Sequence, residues 1–307
     1  MDALNPKTEG VPIGGMLSIV VGALLGAVPQ QLIAKLTPEH VQTDVALEIN
    51  GGVSLLAPLD NSTIDILDEA FGTAGNSQSH SSGGTRLSMH GTSESDDLTP
   101  LRSMGEAVHN DQKVIEFAYG ELPRVSFEQI FREADAKPGD KYYDLGAGEG
   151  KSVALAWAMG MQASGIELLG KRFNASCNAV EKLDKLAVPA NASGKCRLMF
   201  GSFLKLDWSD ADIVFTDDVM FSADTMAELS HRAKALKRGA RIIAYKPFVG
   251  KDFEEVKTFP LNISWNENEK LVFHMQRKVT AANHSVLQVH GMHPALRQCC
   301  PHGSCGH

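Results

Sequence analysis

Basic residues are scarce in the first third of this 307-residue chain. Residues 1–110 hold four Lys/Arg, at Lys7, Lys35, Arg86 and Arg102, against thirteen Asp/Glu. The remaining 197 residues are nearly balanced, 25 against 24, and the whole carries a formal charge of -8. That balance excludes a strongly basic nucleic-acid-binding domain, which needs a surplus of Lys/Arg to meet phosphates. No sequence-specific nucleic-acid contact is expected. Cysteine is also sparse. Three of the five cysteines lie in the last nine residues, too clustered for a disulfide scaffold, so Cys177 and Cys196 read as reduced thiols.

Charge is missing altogether from Val11 to Ala34, a run of 24 residues long enough to cross a bilayer as a helix. Gly14, Gly15, Gly22, Gly26, Pro29, Gln30 and Gln31 dilute its hydrophobicity, so a helix packed on protein is favoured over a membrane contact. From Gly72 to Ser95, 16 of 24 residues are Gly, Ser, Thr or Asn. Such a composition cannot bury enough apolar surface to fold and reads as a linker. The expected organisation is an irregular N-terminal extension over 1–71, a flexible linker over 72–105, a folded domain over 106–280 and a Cys/His-rich tail over 281–307. The tail holds His290, His293, Cys299, Cys300, His302, Cys305 and His307, without CxxC spacing or an apolar frame. It is expected to be disordered and to hold no metal. A chain starting near Leu101 is expected to fold unaided.

From about Asp111 the pattern alternates between short apolar runs and helical spacing. Strands are expected at Lys141–Leu145, Ala163–Ile166, Arg197–Phe200, Ile213–Phe215 and Arg241–Tyr245, then an antiparallel pair at Leu261–Trp265 and Lys270–Arg277. Helices are expected at Lys151–Met159, Arg172–Leu186 and Asp224–Leu236. Repeated strand–helix units predict an α/β fold, a doubly wound Rossmann-like sheet with its ligand at the carboxyl ends of the strands.

The sharpest local signal is Asp144-Leu-Gly146-Ala-Gly148-Glu-Gly150, placed between a strand and a helix. Glycines let the backbone turn tightly and approach a ligand, and the helix start offers unpaired N–H groups. The spacing is not that of dinucleotide folds, and Glu149 inside the turn would repel a pyrophosphate. Glu167, 23 residues after Asp144 and ending the second strand, sits where an acid takes ribose hydroxyls. These features fit S-adenosyl-L-methionine better than NAD. After the third strand, Ser202 and Phe203 follow, and an aromatic there can stack on a purine.

Phe117-Ala-Tyr119-Gly120-Glu121-Leu122 precedes the glycine motif, and Gly239-Ala-Arg-Ile-Ile-Ala-Tyr-Lys246-Pro247-Phe248 follows it. With Gly165-Ile166-Glu167, Gly201-Ser202-Phe203, Trp208 and Ile213-Val-Phe-Thr-Asp217-Asp218-Val-Met-Phe221, the set resembles the disruptor-of-telomeric-silencing histone lysine methyltransferases over residues 110–278. The resemblance implies a seven-strand methyltransferase sheet, S-adenosyl-L-methionine as cofactor, a protein substrate such as a core histone, and a nuclear location, with the cytoplasm as alternative. It implies a cofactor site made by Tyr119, Gly120, Glu121, Asp144, Gly146, Gly148, Gly150, Lys151, Glu167, Ser202 and Phe203. It places Asp217, Tyr119 and Phe221 at the acceptor end as candidate catalytic residues. The sequence departs from the family in three places. Ser202 stands where an acid is usual, Asp217-Asp218 replaces a pair of Asn, and Leu271, Val272 and Phe273 stand where an aromatic hydroxyl is expected beyond Trp265. The alternative readings keep the cofactor with a non-histone protein or small-molecule acceptor, or reduce the chain to a catalytically weak cofactor-binding module.

Overall fold

The computed structural model describes residues 56–71, 120–185, 195–266, 268–289, 292, 294–295 and 297–300. The apolar run 11–34, the linker 72–105, Tyr119 and the final His/Cys residues 301–307 lie outside the described residues.

In chain order the described elements are α1 (Asn61–Ala70), α2 (Arg124–Glu133), β1 (Lys141–Leu145), α3 (Lys151–Ala158), β2 (Gln162–Glu167), α4 (Gly170–Lys185), β3 (Cys196–Phe200) and β4 (Ile213–Thr216). They continue with α5 (Ala223–Arg232), a 3-10 turn (Ala233–Ala235), β5 (Arg241–Ala244), β6 (Phe253–Asn262), β7 (Lys270–Lys278), α6 (Ser285–Val289) and β8 (Arg297–Cys299). The strands form one sheet in the order β6-β7-β5-β4-β1-β2-β3-β8. Strands β3, β2, β1, β4 and β5 run parallel, β7 is antiparallel to both β5 and β6, and β8 is antiparallel to β3. The expected doubly wound α/β sheet is present, with seven strands from the domain and an eighth from the tail. One expected strand is displaced. In place of Leu261–Trp265, β6 runs from Phe253 to Asn262, and a bulge between Glu255 and Lys257 interrupts its pairing. Its exposed Glu-Glu-Val-Lys start hides the two-residue periodicity that a half-buried strand shows.

The sheet is covered on both faces. Tyr142, Ala163, Leu198, Ile213, Phe215 and Ile243 pack with α1 to α4, through Leu67, Phe127, Ile130, Phe131, Val153 and Val180. Their strand neighbours Tyr143, Leu145, Ile166, Met199, Val214 and Ile242 pack the other way, against Met226, Leu229, Leu236 and Trp208. Successive residues of a strand point to opposite faces, so Asp144 shares the first face with Tyr142, and Asp217 shares it with Phe215. The chain reverses its winding direction between β1 and β4, which are neighbours although two strands and two helices separate them in sequence. Such a switch point opens a crevice at the carboxyl ends of the strands.

Two peripheral segments are built into the domain. Helix α1 belongs to the stretch expected to be an extension, yet it buries Leu67 and Ala70 in the first-face core. Asp60 caps it by accepting from the Thr63 amide at 2.7 Å. The folded unit therefore takes in residues ahead of the Ser/Gly-rich linker, which changes the expectation for a chain starting near Leu101. The described residues of the tail pack on the domain. Asn283 donates its amide to the Lys234 carbonyl at 2.8 Å, Val286 is buried, and β8 pairs Phe200 with Arg297 and Leu198 with Cys299. The Arg297 guanidinium lies 5.2 Å and 5.0 Å from the Phe173 and Phe200 ring centroids. Cys177, expected to be a reduced thiol, is joined to Cys299 across 122 residues by a disulfide. Only strand pairing brings these two together, so spacing along the chain gave no sign of it.

Truncating a fully packed leucine leaves a cavity that its neighbours close only partly. Leu67→Ala should lower the urea-unfolding free energy by about 2–4 kcal/mol, and a chain begun at Leu101 should lose at least as much. An unfolding curve superimposable on that of the full chain would show that α1 is dispensable.

Candidate functional site

The glycine turn connects β1 to α3 and forms the floor of the crevice. Gly146, Gly148 and Gly150 have φ values of 100°, 56° and 82°, in the left-handed region that side chains disfavour. The amides of Gly146 and Ala147 both donate to the Ile166 carbonyl, at 2.9 and 3.0 Å, tying the turn to β2. Glu167 fixes it from beneath. Its carboxylate accepts from the Gly148 amide and the Leu169 amide, each at 2.7 Å, while the side chain is buried. Burial pushes the Glu167 carboxyl up, against the opposing pull of Arg172 and of these amides.

A crevice of about 370 Å³, partly open to solvent, lies over this turn. Its polar walls are Glu121, Asp144, Lys151, Ser152 and Asp217, and Leu122, Phe127 and Phe215 supply apolar surface. Lys151 is held by Glu121 at 2.6 Å and by Glu149 at 3.4 Å, so its charge is already matched. The two aspartates are not matched. Asp144 receives the Ser152 hydroxyl on Oδ2, but its buried Oδ1 has no hydrogen-bond partner among the described residues. Asp217 is partly exposed as a residue, yet its Oδ1 is fully enclosed and equally without a partner among them. Burial, with the nearby charges of Asp217, Glu167 and Glu121, raises Asp144 to about 7 despite Ser152. Burial and the adjacent Asp218 raise Asp217 to about 7 as well.

Asp218 has a different task. It is fully buried, and accepts from the Tyr245 amide at 2.7 Å and the Lys246 amide at 2.9 Å. The Lys246 ammonium in turn donates to the carbonyls of Asp218, Val219 and Phe221, at 2.9, 2.8 and 2.6 Å. This two-way clamp fixes the 217–221 loop against the end of β5. The Asp218 carboxyl is raised to about 6 by burial, which outweighs the Lys246 and Tyr245 amides.

The Gly120–Glu121 segment closes one side. Glu121 donates its amide to the Ser264 hydroxyl at 3.3 Å and accepts the Ser264 amide at 3.1 Å. The Trp265 ring lies so close that a Cβ on Gly120 would stand 2.6 Å from it. On the far side, Phe203 and Phe221 have their ring centroids 5.5 Å apart, and the Ser202 hydroxyl accepts the Leu204 amide at 3.2 Å.

Of the residues singled out from the sequence, Gly120, Glu121, Asp144, Gly146, Gly148, Lys151 and Asp217 share the wall of one crevice. Glu167, Ser202, Phe203 and Phe221 stand around it at the neighbouring strand ends. Gly150 faces away, where a side chain would press on Ser176 and Leu198 at 3.1–3.2 Å. Sequence reasoning did not find Ser152 as the partner of Asp144, Lys246 as the clamp, or Ser264 as the support of Glu121. Ser152 could have been found, since it lies in the first turn of the helix that follows the glycine motif.

The protein-family model described as "Histone methylation protein DOT1" matches residues 105–279. The chain belongs to that family. Among curated relatives it is similar to "Histone-lysine N-methyltransferase, H3 lysine-79 specific" of Emericella nidulans, 30% identical over 138 residues, and to the protein of the same name in Yarrowia lipolytica, 26% identical over 138 residues. Each match covers 43% of this chain and 28% of the relative, so the shared region is little more than a quarter of those proteins. A solved RNA methyltransferase from Salinibacter ruber in complex with S-adenosyl-L-homocysteine is similar at 15% identity and a TM-score of 0.40, covering 53% of this chain and 96% of that one.

The raised aspartates set the pH dependence of stability. In the fold the Asp144 carboxyl keeps its proton up to about 7, whereas the unfolded chain releases it near the ordinary value of 3.8. The native state thus binds more protons between those values, and stability falls as pH rises from about 4 to 7. Asp144→Asn keeps an acceptor for Ser152 and removes the buried charge. It should raise the unfolding free energy at pH 8 by about 1–3 kcal/mol and flatten that slope. Urea titrations of both forms at pH 5 and pH 8 check this, and an unchanged difference between the two pH values would contradict it.

Proposed function

We propose that the protein is an S-adenosyl-L-methionine-dependent methyltransferase that modifies protein lysine, with a core histone as acceptor and chromatin in the nucleus as its place of action. One observation carries the reading: Asp144 and Asp217 line one crevice, and each has a buried carboxyl oxygen with no partner among the described residues. A buried carboxylate without a counter-charge is costly, and a cationic ligand relieves that cost. S-adenosyl-L-methionine has a sulfonium and an ammonium against one carboxylate, a net positive ligand. A dinucleotide would bring a pyrophosphate towards Glu121, Asp144 and Asp217 and is disfavoured.

In this reading Asp144 and the Gly146–Gly148 turn hold the amino-acid end of the cofactor, with Gly120, Glu121 and Lys151 closing over it. Glu167 keeps acceptor capacity for ribose hydroxyls beyond its two amide bonds, and Ser202 and Phe203 border the base. Asp217 and Phe221 form the acceptor end, to which the family resemblance also assigns Tyr119. When bound, the cofactor supplies an electrophilic methyl group on its sulfonium. The protein's own part is to place a nucleophile about 3 Å from that methyl and to exclude water. Leu122, Phe127 and Phe215 supply the apolar wall that such exclusion requires. The histone assignment draws on the similarity to histone H3 lysine-79 methyltransferases. The specific departure at Asp217-Asp218, with the weakly charged domain, favours a second reading in which the acceptor is a non-histone protein.

Calorimetric titration of the full chain with S-adenosyl-L-methionine tests the cofactor, and radiolabelled methyl transfer to nucleosomes, free core histones and lysate separates the acceptors. Label in histones alone supports the first reading, label only in lysate proteins the second, and binding without label a cofactor-binding module. Glu167→Ala should weaken cofactor binding by about 1–3 kcal/mol. An unchanged dissociation constant would remove Glu167 from the site.

A further inference from the structure

The aspartate at the end of β4 stands at the acceptor end of the crevice, and drawing a cation to the site does not exhaust what its carboxylate can do. Its neighbour Asp218 is consumed by the Lys246 clamp and turned away from the crevice. The clamp has a consequence for Asp217. It holds the 217–221 loop by five hydrogen bonds, so the Asp217 carboxyl stands at a fixed point on the crevice wall, its enclosed Oδ1 unpartnered among the described residues. An amide side chain at this place could accept a hydrogen bond from a charged nitrogen but is too weak a base to take its proton. A carboxylate can also remove a proton from it.

We propose that Asp217 is the proton acceptor for a cationic amine substrate: the incoming ammonium docks on the Asp217 carboxylate and gives up its proton there before methyl transfer. This rests on the methyltransferase reading above and adds to it the protonation chemistry of the acceptor. The step balances. An N–H bond of the ammonium breaks and an O–H bond forms on Asp217. The freed nitrogen lone pair then forms the N–C bond while the S–C bond breaks, and its electron pair stays on sulfur. The proton leaves Asp217 for solvent as product departs.

The surroundings suit this role. Asp144 from β1 lies on the same sheet face, Glu167 from β2 is engaged by backbone amides, and Lys151 is matched by Glu121 and Glu149. Lys246 points its ammonium at carbonyls and not at Asp217. No cation of the described wall therefore competes for Oδ1. In the unliganded chain Asp217 is raised to about 7, so just above neutrality it is ionised and able to receive a cation. The apolar neighbours Phe127 and Phe215 lower the pKa of an ammonium placed beside them, which narrows the gap the proton must cross.

Two nitrogen-for-sulfur analogues of S-adenosyl-L-methionine test the proposal without turnover. One carries a 2-aminoethyl arm where the methyl would sit, the other an ethyl arm of similar length. Calorimetry on the full chain should give at least about tenfold tighter binding of the aminoethyl compound at pH 8. The preference should shrink below about pH 6, where Asp217 takes up its proton, and Asp217→Asn should abolish it at both pH values. S-adenosyl-L-homocysteine, which has no arm, should bind parent and variant alike, and a urea curve checks that the variant is folded. An equal preference in parent and Asp217→Asn, or none in the parent, overturns the role of Asp217 and leaves the cofactor reading standing. Failure of S-adenosyl-L-homocysteine and both analogues to bind the parent removes the cofactor reading, and this proposal falls with it.

Discussion

Negative charge buried at the crossover between β1 and β4 is the constraint on which the rest of the site depends. Asp144 and Asp217 end neighbouring parallel strands on the same face, so their carboxyls converge on one small volume. Water would stabilise them, and the sheet and its helices keep most water out. The protein answers with fixed dipoles in place of counter-ions. Ser152 donates to one oxygen of Asp144, and backbone amides are spent on Glu167 and Asp218. What remains is two oxygens whose desolvation is not offset by any described group, and that deficit gives the crevice its preference for positive charge.

The neighbouring carboxylates divide the work between structure and chemistry. Glu167 and Asp218 each accept two backbone amides, and each thereby fixes a loop at a strand end. Asp144 and Asp217 each keep an oxygen in reserve. Four acidic residues within a few strand ends would be a liability in an ordinary core, because each adds to the cost of ionising the others. Here two of them are used to hold the other two in place.

Much of this arrangement was legible before the fold was known. The glycine motif, its leading Asp144 and the acid at Glu167 have fixed offsets that a short βαβ unit imposes locally, so the sequence carries them openly. The paired Asp217-Asp218 was visible as a departure, but not which of the two would face the crevice, since that depends on Lys246 just beyond the end of β5. The start of β6 was hidden by a bulge and a run of exposed charge. Helix α1 and the tail strand β8 were missed for a related reason. Each is short, has few apolar residues, and owes its structure to the surface it docks on rather than to its own propensity. The bond from Cys177 to Cys299 follows from that docking and from nothing local.

Trp265 gives the site an optical signature. The chain has three tryptophans, and Trp157 and Trp208 are buried in the two cores, away from changes at the surface. Trp265 alone is partly exposed, with its ring laid on the Gly120 backbone at the rim of the crevice. Any ligand that shifts the Gly120–Glu121 segment changes the solvent around that indole, while Trp157 and Trp208 stay enclosed. The emission spectrum of the unlabelled protein therefore reports on the mouth of the site from a single position.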